Sequence, residues 1–467
     1  LNVFLIHCDQ LRFDALSVNG HPLVRTPNLD RLAAEGTNFT QAYTPQPVCS
    51  PARACLLTGA WASTHGCIAI PGIESYKAAD PALPMWPGLL KDAGYQLRMV
   101  GKYHGEAAGG PTDLGFDEYV SERQYGPWRA AQGLPPRPPV DDPTVHRWLG
   151  QVDEGVTPEQ SRLAWSADHV ERMIREMASD ISVGGGASGG WVMRWDPSEP
   201  HLPCVVPEPF ASRVDVGAIE PWPSFGDPLE GKPVIQAQQR RAWEVDGWTW
   251  DRFAPVVQRY LGEIELLDAM VGRLLDTLDE LGVADQTLVI FSTDHGDFCG
   301  GRGMLDKHYA MYDELMRVPL IVRGPSVPAG ETCDAFVSHE LDIARTLLEA
   351  AGVAVPESFV GQSLKQLATD THPDPRPDIF AQYHGAQFGL YTSRMVRDRR
   401  WKYIWNATAV DELYDLEQDP AEWHNRARDP AAVEELARMK RRMLAWLEQV
   451  GDPMLNMWTR GHFAPRK

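Results

Sequence analysis

The chain alternates between short continuous apolar runs and longer segments whose apolar residues recur every three or four positions. Asn2–Cys8 is the first such run, the pattern of a strand buried on both faces. Thr26-Pro27-Asn28-Leu29 predicts a helix, with Thr26 as N-cap, Pro27 at the first helical position and Gly36 as the stop. A helix around residues 89–93, ended by Gly94, leads into a strand over 95–100. Val257, Leu261, Ile264, Val271, Leu274, Leu278 and Leu281 mark one face of a long amphipathic helix, which Gly282 closes. Thr287–Thr293 repeats the buried-strand pattern, 318–322 predicts another strand, and 340–351 a helix followed by Gly352. This alternation predicts an α/β fold in which a large, mostly parallel sheet is sandwiched by helices.

Between 122 and about 250 the periodicity fades into Pro, Gly and Trp, with Pro135-Pro136-Arg137-Pro138-Pro139 and Gly184-Gly185-Gly186 as extremes. A structureless loop of that length is improbable, so short helices are expected to interrupt an insertion that wraps one face and shapes a pocket. Of its tryptophans (128, 148, 191, 195, 222, 243, 248 and 250) most are expected in the core, although stacking on a ring or sugar is compatible with them. The break Thr371-His372-Pro373-Asp374-Pro375-Arg376-Pro377 reads as a linker. It divides a catalytic domain, 1–372, from a smaller C-terminal α+β subdomain, 373–467. There 391–396 and 401–405 predict a hairpin within a short antiparallel sheet, and 431–450 a final helix.

At 467 residues the chain can bury one large core and a smaller one. A net charge of −20 argues against nucleic acid or an anionic membrane as partner, and no apolar run reaches the roughly 18–20 residues of a membrane span. In so acidic a chain a small anionic substrate needs basic residues to converge, which directs attention to Arg53, Lys102 and Lys307. Seven cysteines without CxxC spacing speak against a zinc knuckle or a disulfide framework. The expected location is cytoplasmic or periplasmic, the cytoplasm being preferred because no signal peptide is visible. A homo-oligomer is allowed, but no periodicity marks an interface.

Asp9 and Asp294-His295 each follow a run that reads as a central strand, where open α/β sheets gather ligands. With Gln10 they make a divalent-metal set of two carboxylates, an amide and an imidazole. Taken singly, each aspartate reads equally well as a helix cap. Lys102 and His104 alternate after another strand, His201 stands between two prolines, and Lys307 by itself reads as a solvated lysine. Cys49 precedes Pro51 and Arg53, so it falls at the positive N-terminal end of a predicted helix, where an anion is stabilised.

Six segments in order resemble the sulfatase family of the alkaline phosphatase superfamily. They are Asp9-Gln10; Cys49 to Gly59, with its Cys-x-Pro-x-Arg pattern and terminal Thr58-Gly59; Gly101 to His104; Pro200-His201-x-Pro203; Thr293-Asp294-His295-Gly296; and Gly303 to Pro319 with Lys307 and Arg317. Glu412-Leu413-Tyr414-Asp415-Leu416 and Asp419-Pro420 extend the resemblance into the C-terminal subdomain. The resemblance implies an alkaline phosphatase-like fold. It also implies that a formylglycine-generating maturation enzyme oxidises Cys49 to formylglycine, whose hydrate is the nucleophile. Asp9, Gln10, Cys49, Asp294 and His295 then surround one divalent metal ion, Ca2+ first, with Mn2+ or Zn2+ as alternatives. Arg53 and Lys102 stabilise the nucleophile, His104 orients it, and His201 and Lys307 bind the sulfate oxygens, one of them, His201 preferred, protonating the leaving group.

Two features depart from many relatives. Gln10 replaces an acidic residue and His295 an asparagine, a combination similar to the branch that hydrolyses phosphonate monoesters and phosphodiesters. After His65-Gly66 the chain reads Cys67-Ile68-Ala69-Ile70-Pro71, without the asparagine many relatives carry. The expected function is therefore arylsulfatase-type hydrolysis of a small sulfate ester. The alternatives are a phosphonate monoester or phosphodiester hydrolase with the same site, and a non-catalytic binder of sulfated ligands.

Overall fold

In the computed structural model, strands β1 (Asn2–Cys8), β2 (Thr37–Phe39), β3 (Gln96–Gly101), β4 (Glu118–Ser121), β5 (Trp191–Asp196), β6 (Thr287–Thr293), β7 (Leu320–Arg323) and β8 (Glu331–Cys333) form one sheet. Their order is β8-β2-β7-β6-β1-β5-β3-β4. Only β7 runs against its neighbours, so the sheet is mostly parallel, as the pattern predicts. The structure describes residues 1–71, 76–137, 150–182, 189–385, 387 and 390–463. Pro138-Pro139, Trp148 and the Gly184–186 run lie outside the described residues.

The helices that frame the sheet are α1 (Pro27–Ala34), α2 (Cys49–Thr58), α3 (Trp86–Asp92), α4 (Arg162–Ser182), α5 (Trp250–Glu280) and α6 (His339–Ala350). Because side chains alternate along a strand, β1 serves two cores at once. Phe4 and Ile6 pack with residues of α1, α4 and α5, whereas Val3 and Leu5 pack with residues of α2, α3 and α6. All four side chains are fully buried, each worth about 1.5–3 kcal/mol relative to exposure. That double burial is why β1 reads as an unbroken apolar run.

Three expectations change in detail. Thr26 does precede α1, but its hydroxyl bonds Ser17 Oγ at 2.5 Å instead of capping the helix. The cap comes from α5, where the Asp268 carboxylate accepts from Leu29 N at 2.8 Å and Asn28 N at 3.3 Å. The long amphipathic helix begins at Trp250, earlier than its apolar stripe, and carries Pro255 within it. The largest difference concerns residues 122–250. Instead of only wrapping the core, this segment supplies α4, 21 residues long, and β5, which lies between β1 and β3 at the centre of the sheet. Trp191 and Trp195, both fully buried, belong to that strand. Trp222, Trp243 and Trp248 are buried too, so most of the tryptophans are core.

After residue 373, β9 (Ile379–Gly385), β10 (Tyr391–Arg397), β11 (Trp401–Asn406) and β12 (Glu412–Asp415) make an antiparallel sheet covered by α7 (Val433–Gln449). The predicted hairpin is its centre. Buried Lys402 ties it to the main body, with its ammonium 2.7 Å from Glu422 and bonded to Asp313. All seven cysteines are unpaired. Among the described residues no helix is long and apolar enough to cross a membrane.

Candidate active site

The three central strands end alike. On the face that carries Val3 and Leu5, alternation gives β1 His7 and then Asp9, β6 Ser292 and then Asp294, and β5 Arg194 and then Asp196. Parallel strands bring these carboxyl ends to one edge. After Asp9 the chain turns through Gln10 at φ 66°, and Gln10 N donates to Asp294 Oδ1 at 3.1 Å.

Helix α2 starts against this edge. Val48 is extended, Cys49 is the first helical residue and Pro51 lies in the first turn. Cys49 Sγ is 3.6 Å from Asp9 Oδ1 and 3.2 Å from His295 Nε2. Asp9, Cys49, Asp294 and His295 are fully buried, and ligand atoms from all four lie within 4.8 Å of one another.

Arg53 is one helical turn beyond Cys49 and therefore on the same face of α2, which explains the spacing of the motif. Its Nε donates to Asp294 Oδ2 at 3.0 Å, one terminal nitrogen to Asp196 Oδ2 at 2.5 Å and the other to Cys8 O at 3.2 Å. It also approaches Asp9 at 3.5 Å.

Lys102 follows β3 through Gly101, which has φ 119° and leaves no room for a Cβ, since one would sit 2.1 Å from Asp196 O. Lys102 N donates to that same carbonyl at 2.8 Å, and its ammonium donates to Asp9 Oδ2. His104 is held through its backbone, its N–H donating to Glu106 Oε2 at 2.7 Å and its carbonyl accepting from Ser50 at 3.0 Å.

His201 Nδ1 bonds Leu202 O at 2.6 Å. A carbonyl can only accept, so Nδ1 carries the proton and Nε2 accepts from Lys307 Nζ at 2.7 Å. Lys307 is thus not the solvated lysine its sequence context suggests. It is 3 % exposed because Gln10 Oε1 at 2.8 Å, Asp306 at 3.2 Å and His201 enclose it. Gln10 Nε2 in turn donates to Asp297 Oδ2 at 2.5 Å.

The electrostatics follow from this crowding. Burial pushes the Cys49 thiol up, but Lys102, Lys307, His295 and a hydrogen bond from His104 together hold it well below the usual thiol range. Burial and Cys49 raise Asp9, and Lys102, His201 and Arg53 overcome them, so it stays ionised. Burial and the charge of Asp9 push Asp294 upward. Burial opposes charging of His295, yet Asp294 and Cys49 pull it up to about 9. The cluster therefore draws positive charge to the space that Asp9, Asp294 and His295 share, which fits a divalent cation.

A family model described as Sulfatase matches residues 1–353. The chain belongs to the sulfatase family. A second model, described as N-sulphoglucosamine sulphohydrolase, C-terminal, matches residues 300–449. The chain is similar to the N-acetylglucosamine-6-O-sulfatase of Bacteroides thetaiotaomicron, at 26% identity over 91% of this chain and 82% of that protein. It is also similar to the arylsulfatase of Clostridium perfringens, at 26% identity over 96% and 94%. Its fold resembles that of the phosphonate monoester hydrolase of Silicibacter pomeroyi, with a TM-score of 0.82, 24% identity and coverage of 98% and 97%. The sulfatase is accordingly a sulfuric ester hydrolase with an alkaline phosphatase-like fold.

The structure brings Asp9, Gln10, Cys49, Arg53, Lys102, His104, His201, Asp294, His295 and Lys307 to one edge of the sheet, whereas Arg317 donates to Thr40 O and lies over the Phe13 ring, and further residues support the cluster. Asp196 anchors Arg53, Glu106 holds the His104 backbone, and Asp297 and Asp306 hold Gln10 and Lys307. Asp196 had a legible signal, an acidic residue directly after an apolar run, but that run lay in a stretch read as irregular. After Gly66, Cys67 is buried and bonds Ala69 O through its thiol at 3.7 Å. No side-chain amide stands between 67 and 71.

Proposed function

We propose that this sulfatase hydrolyses sulfate monoesters of the arylsulfatase type with Cys49, oxidised to formylglycine, as its nucleophile. The observation that carries the reading is the position of Cys49. It lies at the N-terminal end of α2, 3.2 Å from His295 and 3.6 Å from Asp9, within the field of Lys102 and Lys307. The hydrated aldehyde carries two hydroxyls. One oxygen attacks sulfur, and the S–O bond to the alcohol breaks. The second hydroxyl then closes to C=O as the C–O bond to sulfate breaks, and water restores the hydrate. A serine or an unmodified thiol lacks that second hydroxyl.

Asp9, Gln10, Asp294 and His295 would hold one divalent ion, which supplies Lewis-acid activation of the nucleophile and neutralises charge on the sulfuryl group. Oxygen donors suit Ca2+, and the His295 nitrogen favours Mn2+ or Zn2+ as alternatives. Arg53 fixes three carboxylates, and Lys102 balances Asp9 beside the nucleophile. His104 orients the hydrate. Lys307 donates to the sulfate oxygens. His201 Nε2, which accepts from Lys307, is the atom that would carry a proton to the departing alkoxide.

A second reading, hydrolysis of phosphonate monoesters or phosphodiesters, is favoured by the pairing of Gln10 with His295. Sulfate monoesters and these phosphorus esters share a tetrahedral centre and a single negative charge, so the two activities are expected together. The test is intact-mass analysis of the Cys49 peptide after co-expression with the maturation enzyme, followed by kcat/KM for an aryl sulfate and an aryl phosphonate. Conversion of the thiol to an aldehyde, loss of turnover in Cys49→Ala with an unchanged melting temperature, and a preference for the sulfate are expected. A retained thiol in active protein, or near wild-type turnover by Cys49→Ala, would overturn the nucleophile assignment. A preference for the phosphonate would establish the second reading.

A further inference from the structure

One level below the catalytic carboxylates, a second polar cluster is sealed inside the core. His7 on β1, together with His339 and Glu340 at the start of α6, is fully buried, and one ligand atom from each lies within 4.8 Å of the others. The three side chains are sealed from water, so each polar atom here needs a partner within the protein.

The partners are missing in a consistent way. Among the described residues, Glu340 has no Lys or Arg within ion-pairing distance. Nearby Arg53 and Arg194 are committed to Asp9, Asp196 and Asp294. Glu340 Oε1 accepts from Thr44 Oγ1 at 3.2 Å, while Oε2 lies 3.1 Å from His339 Nδ1. Ser292 Oγ gives its single proton to Pro319 O at 2.7 Å, so it must accept from His339 Nε2. That bond settles the tautomer of neutral His339. Nε2 carries hydrogen, and the Nδ1 lone pair faces a carboxylate oxygen. The two repel unless positive charge lies between them. Among the described residues His7, meanwhile, has no hydrogen-bond partner at either ring nitrogen, and a buried polar group left unsatisfied is destabilising.

One divalent cation answers all three deficits. We propose that a His7 ring nitrogen, His339 Nδ1 and Glu340 Oε2 bind a transition-metal ion, distinct from the catalytic one. Two imidazoles and a carboxylate favour Zn2+ or Mn2+ over Ca2+. The hydrogen bond from His339 Nε2 to Ser292 is the outer contact that metal-bound histidines make. Strand rise separates His7 from Asp9 by roughly 6–7 Å, beyond the ~4 Å of a co-catalytic metal pair. The ion is therefore a brace that joins β1 to the first turn of α6, beneath the carboxylates that face Cys49.

The test is a metal count that needs no turnover. Protein stripped with a chelator and titrated with Zn2+ or Co2+ should bind two equivalents by elemental analysis. His7→Phe and Glu340→Gln should each bind one, with a changed Co2+ absorption spectrum. Asp294→Asn should lose the other equivalent, so failure of the catalytic site and failure of this one are read separately. An anomalous-scattering map of the wild-type crystal should place an ion among His7, His339 and Glu340, a measurement that stands even where a variant does not fold. A single wild-type equivalent that Asp294→Asn abolishes, a second equivalent retained by both variants, or a water or a protonated His339 paired with Glu340 in place of the ion would overturn the proposal.

Discussion

Replacing Arg53 with methionine should lower the melting temperature by about 3–5 °C. The guanidinium is fully buried and touches Asp294 at 3.0 Å, Asp196 at 2.5 Å and Asp9 at 3.5 Å. Lys102 pairs with Asp9 and Arg194 with Asp196, so among the described residues Arg53 is the one Lys or Arg that pairs with Asp294. Methionine fills similar volume and leaves one buried charge without compensation, which costs roughly 3–5 kcal/mol. Unfolding entropy near 2.1 cal/mol/K per residue gives about 1 kcal/mol/K for a chain of 467 residues, which converts the cost to the stated shift. Scanning calorimetry or dye-monitored melting reads it directly. Adding Asp196→Asn removes the surplus negative charge. The double variant should recover about 1–3 kcal/mol relative to the sum of the single losses. A melting temperature within 1 °C of wild type, on the order of 1 kcal/mol by the same conversion, would refute the charge-balance argument. Strict additivity of the two substitutions would do so as well.

His201→Ala should slow hydrolysis of esters with poor leaving groups by about 100-fold or more while sparing activated aryl esters, because only the former need a proton as they depart. Equal losses for both, in kcat/KM across a leaving-group series, would remove His201 as the acid. Gly101→Ala should lose turnover and stability together, since its Cβ meets Asp196 O at 2.1 Å and the strain falls on the residue before Lys102. A normal melting curve and normal kcat would contradict that crowding. Glu263, buried in α5, is pushed by burial and then by the charge of Glu199 from 4.5 up to about 8. A raised acid contributes stability that is complete below about 4.5 and is lost as pH rises through about 8. Glu263→Gln should therefore gain stability relative to wild type across that window, and parallel stability profiles of the two proteins would show the reasoning to be wrong.

The parts of this molecule legible in the sequence are those fixed by neighbours along the chain. β1 and β6 announce themselves because both faces are buried, which forces an unbroken apolar run. The Cys49–Arg53 spacing is one helical turn, so two side chains that must share a face do so by local geometry. Residues placed by strand ends, such as Asp9 and Asp294, could be found from the same rule.

What the sequence could not give was the set of partners met only across the fold. β5 stayed hidden inside a Trp- and Pro-rich stretch because its two faces are completed by α4 and α5 on one side and by α2 and α3 on the other. Lys307 looked solvated because nothing adjacent in sequence shows that Gln10 and His201 close over it. The cap of α1 comes from Asp268, some 240 residues away, although Thr26 stood in the expected place. His7, His339 and Glu340 each look ordinary until β1 and α6 pack together and leave their polar atoms facing one another. Periodicity and spacing thus decide which elements form and which chemistry they can carry. Tertiary packing alone decides which charges are sealed from water, and burial is what turns a lysine or a histidine into part of a site.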